Sequence, residues 1–194
     1  MTTNDESFLV ARIVSGDVAC FAQLVDLYKD LVFTLSVRIL KNREEAEEVS
    51  QDAFIKIYKS LASFKGDSKF STWVYRVTYN CCLDRLKKNK KYLNDVSIDA
   101  YIFNQLDSID NALEGLIKKE KHKLIRNCVG KLPEDSRAII TLFYFDELTL
   151  EEISSITGIE SNTVKVKLFR ARKKLAVIME QYLIPNNNLN YGTR

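Results

Sequence analysis

Two prolines and six glycines are all that punctuate 194 residues of backbone. A fold of many short strands depends on such residues at its turns, so this chain lacks what that fold needs. Long helices need few of either. Apolar residues recur accordingly: Phe21, Leu24, Val25, Tyr28, Leu31, Val32 and Leu35 fall at three- and four-residue steps, the spacing of one helix face. The expected class is all-α, with two helical domains joined by a linker and a helix-turn-helix in the second. At 46% hydrophobic and 28% charged, the chain is long and apolar enough for each half to bury a core of its own.

The element order follows from periodicity and capping chemistry. A short amphipathic stretch from Phe8 to Val14 stops at Ser15-Gly16, and a long helix is expected from about Val18 to Leu40. Asn42, with Glu45 three residues on, reads as the capping box of a third helix, whose Val49, Ala53, Ile57 and Leu61 face inward. Phe64 to Phe70 has turn chemistry, and Ser71 is placed to cap a fourth helix reaching about Lys91. This sets the first domain at 1–91. Periodicity fades over 92–110, the expected linker, and the second domain spans 111–184. It opens with a helix from about Asn111 to Lys131, and Pro133 suits the first position of a helix ending near Phe145. Thr149 and Glu152 form a second capping box ahead of a short helix closed by Thr157-Gly158. Ser161 begins the last helix, through about Tyr182, and Pro185 opens a tail (185–194) expected to be disordered.

Net charge is only +3, but its distribution is uneven. Glu44, Glu45, Glu47, Glu48 and Asp52 form an acidic block. Arg85, Lys87, Lys88, Lys90 and Lys91 form a basic one, and Lys165, Lys167, Arg170, Arg172, Lys173 and Lys174 another. A single run is ordinarily a solvated face. Two basic blocks and a separate acidic helix indicate two kinds of partner.

Several classes are disfavoured. The N-terminus is polar and acidic, unlike a signal peptide, and no run of ~18 uncharged apolar residues suggests a membrane span, so a cytoplasmic protein is expected. Cys20, Cys81, Cys82 and Cys128 form no Cys-x-x-Cys pair, and His122 is the single histidine; no metal and no cofactor is expected, and the thiols read as free. With no nucleophile–base pair and no phosphate-cradling glycine loop, an enzyme acting on a small-molecule substrate is not indicated.

The second domain carries the clearest motif. Two helices joined by a short glycine turn, the second basic, is the pattern of a DNA-binding helix-turn-helix. Ile153, Ile156 and Ile159 are spaced to pin the first helix and turn onto the second, and Val164, Leu168, Ala171, Leu175 and Ile178 form one apolar stripe. The basic residues lie off that stripe. Ser161, Asn162 and Thr163 at the helix start offer hydroxyl, amide and N–H groups to phosphates or base edges. Lys165, Lys167, Arg170, Arg172 and Lys173 supply charge, and Phe169, also off the stripe, is free to meet a base face or methyl.

In the fourth helix Lys69, Trp73, Arg76, Asn80 and Lys87 share a face, with Val74, Val77 and Cys81 on another. Cations interleaved with an aromatic and an amide suit single-stranded nucleic acid, whose phosphates need charge and whose unstacked bases need a flat partner. Trp73 also fits a half-buried core position.

The run from Phe64 through Trp73 and Arg76 to Asn80 resembles the promoter-melting region of extracytoplasmic-function sigma factors. Asn42 to Phe54 is similar to their polymerase-binding helix. Leu132-Pro133, Leu148 to Ile153, and Thr163 to Leu175 resemble their C-terminal domain. The likeness covers roughly residues 8 to 182, with both domains in order. It implies a sigma factor that binds core RNA polymerase: Glu48, Gln51, Asp52 and Phe54 on the β′ clamp helices, and the second domain on the β flap. It further implies that Phe64, Lys65, Lys69, Trp73, Arg76, Asn80 and Lys87 open and hold the single-stranded −10 element. The last helix would read the −35 element as duplex, and an anti-sigma factor is an expected partner. Lys165 and Lys167 stand where the family often has arginine, which suits point-charge phosphate contacts; Val166 replaces a small polar residue.

Two other readings compete. A stand-alone helix-turn-helix regulator would have no use for the acidic helix or the Trp73–Asn80 face. A purely protein-binding adaptor would not bind DNA with a steep salt dependence.

Overall fold

The computed structural model describes residues 3–92 and 114–183. Eight α-helices account for nearly all of them. The first region comprises α1 (Thr3–Val14), α2 (Val18–Leu40), α3 (Arg43–Ser60) and α4 (Phe70–Tyr92), with a 3₁₀ turn at Leu61–Ser63. The second comprises α5 (Glu114–Gly130), α6 (Glu134–Ile140), α7 (Leu150–Thr157) and α8 (Ser161–Leu183). The linker expected at 92–110, beyond its first residue, and the tail at 185–194 lie outside the described residues.

Local chemistry explains the boundaries. Asp17 caps α2 by accepting the Cys20 N–H at 3.1 Å. Lys41 ends α2 in the left-handed conformation, at φ 61°, and Asn42 at once caps α3 by accepting the Glu45 N–H at 3.0 Å. The reciprocal half of that capping box is not made, because the Glu45 carboxylate accepts from Asn89 Nδ2 of α4 at 2.8 Å. α1 starts at Thr3 rather than near Phe8, its early turn tied to α2 by the Tyr28 hydroxyl, which donates to Glu6 at 2.5 Å. α4 begins at Phe70, leaving Ser71 inside the helix rather than capping it. Phe70 is 3% exposed and touches Tyr28, Phe64 and Trp73, so aromatic packing fixes this end.

In the first region Leu24, Val32, Leu35 and Ile39 from α2 meet Ala46, Val49, Ala53 and Ile57 from α3 and Val74 and Cys82 from α4. Each fully buried Leu or Ile contributes about 2 kcal/mol of apolar transfer. Leu61, also expected inward, is buried in the turn that follows α3.

The second region is put together differently. Pro133 sits just ahead of α6 as its cap rather than as its first helical residue, and α6 widens into a π-turn over Thr141–Phe145. α7 has the full capping box: Thr149 Oγ1 accepts the Glu152 N–H at 3.2 Å, and the Glu152 carboxylate accepts the Thr149 N–H at 3.0 Å. Gly158, at φ 71°, supplies the left-handed turn that ends it. Ser161 is the first residue of α8 and makes no capping bond among the described residues. The sequence pattern gives each half its own core. Instead, Ile153, Ile156 and Val164 join the core of the first region, because α7 packs on α4. A smaller cluster of Val129, Leu132, Ile139, Ile140, Leu168 and Ala171 belongs to the second region alone.

Among the described residues, three ion pairs cross between the regions. Lys69 meets Glu152 at 2.8 Å, Lys90 meets Glu134 at 2.7 Å, and Arg38 meets Asp146 at 2.7 Å, the last with the carboxylate side chain only 10% exposed. Among the described residues no helix is long and apolar enough to cross a membrane.

Candidate nucleic-acid interface

Burial of one stripe on α8 decides what its other faces present. Val164, Leu168 and Ala171 are buried, and Leu175 and Ile178 pack behind them. Asn162, Thr163, Lys165, Arg170, Arg172 and Lys173 are therefore exposed, while Ser161 and Lys167 are half-buried. Phe169 remains 55% exposed, with the Lys173 ammonium 4.7 Å from its ring centroid. The Arg172 guanidinium lies over the rings of Phe143 and Tyr144, at 5.5 and 5.4 Å. Resting cations on aromatic faces holds them without neutralising them. Lys167 alone of the set approaches a carboxylate, Asp135, at 3.7 Å.

On α4, Val74 and Cys81 point into the core and Val77 packs beside them, so Arg76, Asn80 and Lys87 face solvent. Trp73 is half-buried: its ring stacks on Phe70 at 5.5 Å and tilts against Phe64 at 5.7 Å. Trp73 thus takes the half-buried core position, with part of the indole forming wall and part left open. The loop before α4 exposes Lys65, and Gly66 takes φ 79° there. Lys69 is exposed but not free. Its ammonium bonds Glu152, which raises the lysine pKa and lowers that of the carboxyl.

The acidic helix α3 exposes Glu48, Gln51 and Asp52 on one side and tucks Phe54 partly against the core. Glu48 pairs with Arg85 of α4 at 2.8 Å. Sequence periodicity missed Ile55 and Tyr58, apolar residues 52% and 45% exposed beside this surface. The sign available was their position on the polar side of an otherwise regular stripe.

The Arg38–Asp146 contact was equally invisible in sequence, being built from residues 108 positions apart. Burial pushes the Asp146 carboxyl up to about 6, against the opposing pull of Arg38. The same carboxylate acts on Tyr75, whose phenol is pushed up by burial first and by Asp146 second.

Comparison with known proteins fits this geometry. Residues 24–92 match the family described as Sigma-70 region 2, and residues 122–175 match Sigma-70, region 4. The ECF RNA polymerase sigma factor SigW of Bacillus subtilis (strain 168) is 36% identical over 176 residues, 86% of this chain and 92% of the relative. The chain belongs to the extracytoplasmic-function sigma factors. The RNA polymerase sigma-H factor of Pseudomonas aeruginosa is 31% identical over 189 residues, 94% of this chain and 98% of its own length. The ECF RNA polymerase sigma-E factor of Escherichia coli (strain K12) is 33% identical over 176 residues, 88% and 92% of the two chains. Among solved structures, the sigma factor RpoE in complex with the anti-sigma factor NepR from Bartonella quintana has a TM-score of 0.67 at 20% identity, covering 82% of this chain and 96% of that one. CnrH in complex with the cytosolic domain of CnrY gives 0.64 at 21%, covering 90% and 96%. Both share the fold. As a sigma factor, the protein directs promoter-dependent transcription initiation by RNA polymerase, and a stand-alone regulator is not favoured.

Proposed function

We propose that the two exposed helix faces divide promoter recognition between them. Region 2 (1–91) binds core polymerase and melts the −10 element, residues 92–110 connect, and region 4 (111–184) reads the −35 element. The reading rests above all on how the residues are mounted: Trp73, Arg76, Asn80 and Lys87 stand on the outer side of a helix whose inner side is fully buried. A rigid backbone presents an aromatic edge, an amide and cations together, which is what an unstacked strand needs. Phe64 backs the indole, and Lys65 and Lys69 are exposed on the segment that leads into α4. On α8, Ser161, Asn162 and Thr163 address phosphates or base edges at the helix start. Lys165, Lys167, Arg170, Arg172 and Lys173 supply counter-charge, and Phe169 an apolar contact.

Glu48, Gln51, Asp52 and Phe54 meet the β′ clamp helices, and region 4 meets the β flap. Three residues must change partners. Lys69 exchanges Glu152 for a phosphate, Lys167 leaves Asp135 for a phosphate in the same way, and Glu48 exchanges Arg85 for the polymerase, each giving up a surface pair worth at most about 1 kcal/mol. An anti-sigma factor is a fitting regulator, as in the RpoE–NepR complex. The protein acts in the cytoplasm and carries out no catalysis of its own.

Run-off transcription by core polymerase on genomic DNA, with and without the protein, tests this reading. Initiation from a discrete promoter set is expected only with the protein. Gln51→Ala with Asp52→Ala is expected to abolish it while leaving duplex binding intact. Initiation that never depends on the added chain overturns the proposal.

A further inference from the structure

A cleft of about 940 Å³ lies between the two regions, bounded by the ends of α2 and α4 on one side and by α6 and α8 on the other. Its lining is unbalanced. Lys41, Lys90, Arg137, Lys167, Arg170 and Lys174 face it, against only Glu45, Glu134 and Asp135. All three carboxylates are already engaged, by Asn89, Lys90 and Lys167 respectively. Among the described residues, no carboxylate lies within ion-pair distance of Lys41, Arg137, Arg170 or Lys174.

Two of these cations do not belong to either promoter-binding face. Arg137 of α6 is 5% exposed. Its Nη1 donates to the Gly130 carbonyl at 3.3 Å, a long bond, and its Nε is buried without a partner. A guanidinium taken out of water with so little compensation is costly unless an anion completes it. Lys41 holds the left-handed backbone at the end of α2, where glycine or asparagine is usual, and strain of that kind collects at binding sites. Its stem crosses between regions to lie against Gly130, the residue that holds Arg137. Lys41 stays partly open to solvent, yet partial burial and the facing Arg137 press its pKa down, against a smaller opposing pull from Glu134. Two like charges converge here from separate regions, and Glu134, the carboxylate that acts on both, is already paired with Lys90, so the cleft keeps an excess of positive charge that can receive an anion.

We propose that this cleft binds a small polyanion bearing clustered phosphates, bridging Lys41 of the first region to Arg137, Arg170 and Lys174 of the second. Four unpaired cations suit a triphosphate group, and the volume admits one with or without an attached nucleoside. Occupancy ties the two regions together and draws on Arg170, which the −35 element also uses.

The test is calorimetric titration of the full-length protein at fixed salt with tripolyphosphate, ATP, GTP, adenosine and a short aspartate–glutamate peptide. No DNA or polymerase enters the measurement, so its result is separate from that of the transcription assay. One equivalent of tripolyphosphate or nucleotide is expected, with adenosine silent. Lys41→Asn keeps the left-handed preference, removes the charge and is expected to weaken binding about 10-fold. Lys174→Asn, exposed on α8, is expected to weaken it about 5-fold, and Lys59→Asn, remote on α3, to change nothing. A melting temperature raised by tripolyphosphate in the parent and not in Lys41→Asn is the second readout. Nucleotides binding 10-fold tighter than tripolyphosphate identify a nucleoside-borne ligand; equal binding identifies free polyphosphate. No binding, several weak equivalents indifferent to Lys41→Asn, or tighter capture of the acidic peptide overturns the proposal.

Discussion

The two helical regions anchor their charged faces in different ways. In region 2, Glu48–Arg85 and Lys56–Asp84 link α3 to α4, so cations there are held by carboxylates of neighbouring helices. In region 4, Arg172 and Lys173 rest on Phe143, Tyr144 and Phe169 and keep their charge available. The cores differ in the same direction. α2, α3 and α4 bury one another, whereas α7 borrows much of its burial from α4. Region 2 is thus a self-supporting platform. Region 4 is a more open reader whose first helix leans on that platform.

The hardest blow to this contrast would come from Ile153→Ala. The side chain is fully buried in the shared core, and its truncation is expected to cost about 3 kcal/mol. A single melting transition should move. Two transitions, with only one shifted, would show that the cores are separate.

Next in size is the response to pH. The packed form raises the Asp146 carboxyl from 3.8 to about 6, chiefly by burial, with Arg38 and the Tyr75 phenol around it. A raised pKa means that the packed form is favoured most with the proton on, below the ordinary value, because burial penalises the charge by more than the Arg38 ion pair returns. That preference weakens as pH climbs through about 6, by on the order of 2 kcal/mol. Melting temperature should fall between pH 4 and pH 7 and level off above, and Asp146→Asn should flatten the profile. An unchanged slope in that variant would assign the effect to other groups.

Trp73→Ala is expected to reduce open-complex formation by about 10-fold, from the loss of one stacking platform worth about 1–3 kcal/mol. Permanganate footprinting of the melted strand reads this directly, and duplex affinity at −35 should not move. Smallest is Lys165→Ala. Removing one phosphate contact should lower the slope of log K against log salt by about 0.9, with little change of sequence preference. A large loss of preference would make this lysine a base reader.

Much of this is legible in the amino-acid sequence alone. Local signals are short-range chemistry, so the Thr149–Glu152 box, the Gly158 turn and the α8 stripe appear where the pattern put them. What sequence could not carry is competition between distant partners. Glu45 looked like half of a capping box until Asn89, 44 residues away, offered a better bond. Ser71 looked like a cap, but the aromatic cluster around Phe70 started the helix earlier. Lys69 looked free for DNA, and only the packing of α7 on α4 brings Glu152 to it. The exposed faces are readable in sequence because each repeats along one helix; their present partners are not, because those lie on others.

The π-turn at Thr141–Phe145 has a consequence for length. By fitting in an extra residue, it hands successive rings to different partners, Phe143 and Tyr144 to Arg172 on α8 and Phe145 to Arg38 on α2. The turn therefore works as a counter. A deletion of one residue here would preserve helix, hydropathy and composition, yet hand each ring to the wrong neighbour. Tolerance to insertions and deletions should collapse at this point in the chain while substitutions among aromatics are accepted, so the spacing, rather than the identity, of these residues is what the fold has to keep.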